Sequence, residues 1–132
     1  MKKTSKKLLA IILAVVTAVA FAVSVYAVQP RYTNTSSIDV TLSFTSSGAR
    51  CYCKIKGFSN VTSITNGTMQ LLDSRGNVVA SWSNLSATGN QLIVSRTATN
   101  VVAGETYTLT VSAYVNTTTS SEYVSDSNTQ TN

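Results

Sequence analysis

Tyr107-Thr108-Leu109-Thr110-Val111-Ser112-Ala113-Tyr114-Val115 alternates strictly. Tyr107, Leu109, Val111, Ala113 and Val115 fall on one side; Thr108, Thr110, Ser112 and Tyr114 fall on the other. Successive strand residues point to opposite faces, so a period of two over nine residues predicts a half-buried β-strand. Nothing from residue 28 onward repeats every three or four residues, and this strand sets the pattern for the rest.

Upstream, Ile38, Val40, Leu42 and Phe44 alternate with polar residues. After Thr45-Ser46-Ser47-Gly48, Ala49, Cys51, Cys53 and Ile55 alternate with Arg50, Tyr52, Lys54 and Lys56. Two strands around a short polar turn predict a hairpin that pairs Phe44 with Ala49, Leu42 with Cys51, Val40 with Cys53 and Asp39 with Lys54. A second hairpin is expected from Thr68–Leu72 and Val78–Trp82, joined by Asp73-Ser74-Arg75-Gly76-Asn77, whose Asp and Gly suit a type I turn closed at positive φ. Gln91–Ser95 reads as a further strand, with a bulge or strand end expected at Arg96, and a last strand is expected near Ser121–Ser125. Seven short strands separated by turn signals predict an all-β, seven-stranded antiparallel sandwich, with its core strands over about residues 32–127.

Val102-Ala103-Gly104-Glu105-Thr106-Tyr107, running into the alternating strand, resembles the corner and following strand of fibronectin type III and related immunoglobulin-like domains. That resemblance implies a tyrosine corner at Tyr107, with a buried ring and a hydroxyl bonded to upstream backbone. The early Trp of fibronectin domains and the inter-sheet disulfide of antibody domains have no counterpart here. A leader followed by one such domain is similar to small secreted immunoglobulin-like proteins of Gram-positive bacteria.

The leader is read from residues 1–27. Lys2, Lys3, Lys6 and Lys7 precede an apolar run from Leu8 to Val23, and Ser24-Val25-Tyr26-Ala27 supplies small or apolar residues at the positions a signal peptidase reads. Cleavage after Ala27 is expected, leaving a secreted single domain of residues 28–132; the alternative is an uncleaved signal anchor tethering it to a membrane. No second apolar span follows, so no membrane partner is expected after cleavage. The chain as a whole is +5, but four lysines leave with the leader, and residues 28–132 hold six basic side chains against five acidic. That near-balance is too small for nucleic acid, which needs many phosphate contacts. Of the 105 residues from 28 onward, 35 are Ser or Thr and only 11 are charged, so hydroxyls and amides must carry solubility.

Candidate chemistry is sparse. The chain has no histidine, which removes serine and cysteine triads and His-ligated zinc. Neither an enzyme activity, a cofactor nor a metal is expected. Cys51 and Cys53 share one strand face, where their Cβ atoms stand about 6–7 Å apart, whereas a disulfide needs about 4 Å. Buried free thiols are therefore the expected state, with a strained bridge, intermolecular pairing or a metal as alternatives.

Three function classes remain. The first is a secreted, non-enzymatic interaction or adhesion-type module, contacting an extracellular protein or glycan. Its candidate binding residues are Arg50, Tyr52, Lys54 and Lys56, a basic stripe around an aromatic; against this stands the reading of a solvated face that guards the sheet from aggregation. The second is a small carbohydrate-binding domain using Trp82 with Tyr114 or Tyr52, although a lone Trp more often fills a core. The third is a structural subunit that self-assembles through an edge strand.

Overall fold

The computed structural model describes residues 31–132; the leader and the cleavage site at Ala27 lie outside them. Seven strands follow one another: β1 (Thr35–Thr45), β2 (Gly48–Gly57), β3 (Ser63–Leu72), β4 (Val78–Thr88), β5 (Gln91–Ala98), β6 (Thr106–Asn116) and β7 (Ser121–Thr131). They form two antiparallel sheets, one ordered β1-β2-β5 and the other β4-β3-β6-β7. Their apolar faces meet in one core: Val40 and Leu42 from β1, Ala49, Cys51, Cys53 and Ile55 from β2, Met69 and Leu71 from β3, and Leu109, Val111, Ala113 and Val115 from β6. This is the two-layer arrangement that period-two alternation demands, each sheet hiding one face against the other. Among the described residues no helix is long and apolar enough to cross a membrane.

The β1–β2 register is the expected one, including Leu42 opposite Cys51 and Asp39 opposite Lys54. The turn is tighter than four residues: Thr45 pairs with Gly48, leaving only Ser46 and Ser47 outside the ladder. The β3–β4 turn also follows expectation. The Asp73 carboxylate accepts the backbone N–H groups of Arg75 and Asn77, each at 2.9 Å, and Gly76 sits at φ +83°.

Three expectations need correction. β3 and β4 are longer than read, because each carries a bulge. Ile64 and Met69 both face the core yet differ by an odd number of positions; the irregularity between Thr65 and Thr68, with Asn66 at φ 51°, resets the phase. On β4, Asn84 at φ 56° does the same between Trp82 and Leu85. Asn tolerates this left-handed conformation better than most residues. Arg96, expected to break β5, instead stays in the ladder opposite Cys51, and pairing continues to Ala98. It occupies an inward-parity position on an edge strand, and its side chain is exposed. Finally, β7 runs to Thr131, well past Ser125.

The first described residues are tied to β7. The Glu122 carboxylate accepts from the Thr33 amide and hydroxyl (both 2.6 Å), the Asn34 amide (3.0 Å) and the Thr35 hydroxyl (3.0 Å). The buried Asn34 amide group donates to the Val115 carbonyl and the Ser120 hydroxyl, both at 3.1 Å. Partial burial pushes the Glu122 pKa up, but the bonds from Thr33, Asn34 and Thr35 outweigh it and hold the carboxyl below its ordinary value. The unfolded chain therefore binds this proton more readily. The stabilisation is complete above the ordinary carboxylate range and is lost as pH falls through the lowered folded value. Glu122→Gln is expected to cost about 1 kcal/mol at pH 7, allowing for solvent screening, and less at about pH 2.5, below the ordinary carboxylate range. Urea unfolding at the two pH values checks this; an equal loss at both would remove the charge from the account.

Candidate functional site

β2 is the central strand of its sheet, paired with β1 on one side and β5 on the other. Its inward residues Ala49, Cys51, Cys53 and Ile55 are fully buried, which fixes the opposite side. Arg50, Tyr52, Lys54 and Lys56 therefore form one outward row. Register supplies their neighbours: Ser43 and Thr97 beside Arg50, Thr41 and Ser95 beside Tyr52, Asp39 and Ile93 beside Lys54, Gln91 beside Lys56. Tyr52 and Lys54 are half-buried, while Arg50 and Lys56 are exposed. Thr41, Ser43, Arg50, Tyr52 and Ser95 line an open hollow of about 200 Å³. Arg96, at the β5 edge, donates to the Ser95 carbonyl at 3.0 Å.

Charge is unevenly shared between the layers. Arg50, Lys54, Lys56 and Arg96 stand on β1-β2-β5 against Asp39 alone, a net +3. The four-stranded sheet and the loops leading into it carry Arg75 against Asp73, Glu105, Glu122 and Asp126, a net −3. Arg31 accounts for the remaining charge.

The outward face of β6 and β7 is chemically different. Thr106 and Thr131 share a hydroxyl contact at 2.8 Å, as do Thr108 and Thr129. Tyr114 stands opposite Tyr123. Their rings meet edge to face, with centroids 5.4 Å apart, and they are 40% and 56% exposed. Tyr123 escaped the sequence reading because β7 shows little alternation, Val124 being its only buried apolar residue.

The candidate carbohydrate-stacking residues are not brought together. Trp82 lies mid-strand on β4 opposite the buried Met69, half-buried and packed on the core, rather than at a strand end. Tyr114 is on the other face of that sheet, and Tyr52 belongs to the other layer. Trp82, Tyr114 and Tyr52 therefore stand on three different surfaces.

Tyr107 is 1% exposed. The Val102 amide donates to its hydroxyl at 2.8 Å, and the hydroxyl donates to the Glu105 carboxylate at 3.0 Å. Cys51 and Cys53 are free and buried. Burial pushes the Cys51 thiol up to about 11. Burial also raises Cys53, although the Val94 backbone bond and the Arg96 charge pull it back. Such thiols are poor nucleophiles. Among the described residues no group of three His, Cys, Asp or Glu side chains is placed to hold a metal ion. No protein-family model and no curated protein matches the chain.

Proposed function

We propose that this chain is a secreted, non-enzymatic interaction module on an immunoglobulin/fibronectin III-like sandwich, and that it meets its partner through the outer face of β1-β2-β5. The fold reading draws support from the three-plus-four sheet order and from the Tyr107 hydroxyl reaching back to the Val102 amide at the start of β6. The secreted reading rests on the layout of residues 1–27.

One observation carries the binding face. A row of charged side chains is often a guard against edge-to-edge pairing. β2 has no free edge, since β1 and β5 pair with it on both sides. Arg50, Lys54 and Lys56 thus stand where no guard is needed, on either side of a half-buried tyrosine. The rival surfaces have less in their favour. Trp82 faces inward, and the long uncharged edge of β4 is interrupted by the bulge at Asn84.

The test is capture of extracellular proteins and glycans by residues 28–132, which contain both sheets and the whole core. Lys54→Glu is expected to lower capture by about tenfold or more with the domain still folded, its melting temperature falling only slightly as the new carboxylate meets Asp39 across the ladder, while Tyr123→Ala leaves capture unchanged. Capture lost in Tyr123→Ala and retained in Lys54→Glu would move the function to the other sheet.

A further inference from the structure

We propose that the ligand of this face is an acidic polysaccharide, a chain of carboxylate-bearing pyranose rings lying along β2. The inference rests on β1-β2-β5 being the binding surface and adds the chemistry of what binds there. Outward residues on a strand recur about every 6.6 Å. Arg50, Tyr52, Lys54 and Lys56 therefore present cation, aromatic, cation and cation over about 20 Å, a linear ruler suited to an extended, periodically charged polymer.

Each part of the row matches a part of such a chain. The Tyr52 ring is flanked in register by the Thr41 and Ser95 hydroxyls, and the hollow also includes Ser43 and Arg50. A pyranose presents C–H groups to an aromatic face and hydroxyls around its edge, so an aromatic floor ringed by hydroxyls suits it. Arg50 offers a planar fork that meets a carboxylate with two parallel N–H bonds. Lys54 and Lys56 add point charges further along. Four of the five acids lie off this sheet, so the surface complements an anion. Asp39 is the exception: it stands opposite Lys54, one outward position along β1 from Thr41, and is not among the residues lining the hollow.

Other polyanions fit less well. Three cations in the row are too few for a nucleic acid. A stable protein interface needs roughly 800 Å² per partner around large apolar anchors, and this face offers only Tyr52 and Ile93, the latter 51% exposed.

The experiment is titration calorimetry of residues 28–132 against polygalacturonate, alginate and hyaluronate, with dextran and poly-L-glutamate as the neutral-sugar and sugar-free controls. At least one acidic polysaccharide is expected to bind about tenfold tighter than either control. Tyr52→Ala is expected to weaken that binding by about tenfold while leaving its salt dependence unchanged. Arg50→Gln is expected to weaken it and flatten the salt dependence together. Absence of binding by all three polysaccharides overturns the inference, as does poly-L-glutamate binding equally well with no effect of Tyr52→Ala. The binding face itself is judged separately: if Lys54→Glu still abolishes capture of a protein, only the polysaccharide falls. If neither Lys54→Glu nor Tyr52→Ala affects any capture, both fall.

Discussion

Gly48→Ala is expected to destabilise the fold by about 3–5 kcal/mol, combining backbone strain with overpacking. Gly48 closes the β1–β2 turn at φ +124°, a conformation side chains rarely adopt. A Cβ there would fall on the Ala98 carbonyl oxygen, well inside contact distance, and 3.1 Å from its carbon. Neither side can retreat. Ala98 is held in the β5 ladder opposite Ala49, and Gly48 is held opposite Thr45. Gly76→Ala supplies the comparison: it has φ +83° and nothing within 4 Å of its added Cβ, so only strain of about 1 kcal/mol remains. Urea unfolding of the two variants separates clash from strain, and equal losses would show that β5 yields at Ala98.

Tyr107→Ala is expected to cost about 3–5 kcal/mol by opening a cavity where a large buried ring stood. That ring packs against Phe44 of the opposite sheet, with centroids 5.8 Å apart, so its loss loosens contact between the layers. Tyr107→Phe keeps the ring and removes the hydroxyl. It is expected to cost about 1–2 kcal/mol, because the Val102 amide loses its acceptor. Unfolding curves for both variants apportion the effect. A neutral Tyr107→Phe would mean that the ring alone carries the corner.

Local regularity decided what the sequence revealed. The β1–β2 register was legible down to Asp39 opposite Lys54, because alternation runs unbroken through both strands and the turn is short. β6 was legible for the same reason. The first half of β3 and the second half of β4 were hidden because the bulges at Asn66 and Asn84 put the inward residues out of phase. β7 was foreshortened because its inward-parity positions include Glu122, Asp126, Asn128 and Gln130, polar groups tolerated at the margin of the sandwich. Asn128 meets its need by donating to the Val40 carbonyl of β1 at 2.9 Å.

The candidate face was half legible. Alternation alone put Arg50, Tyr52, Lys54 and Lys56 on one side. The fact that weighs most, that β2 is flanked on both sides, depends on pairing with β5 about forty residues later. No local pattern encodes such a long-range pairing. Ser95, which completes the hydroxyl ring around Tyr52, enters the site by that same pairing.

The unequal sharing of charge between the layers gives the molecule a handle that its net charge conceals. Three elementary charges of each sign, on sheets packed about 10 Å apart, amount to an electric dipole on the order of 100 debye. On the described residues, whose six basic and five acidic side chains leave +1, an anionic surface exerts almost no net pull, but it exerts a torque on such a dipole. Within a Debye length of about 8 Å at physiological salt, the molecule turns so that β1-β2-β5 leads and the rim bearing Glu105, Glu122 and Asp126 trails. Orientation then precedes contact with any anionic surface this sheet approaches.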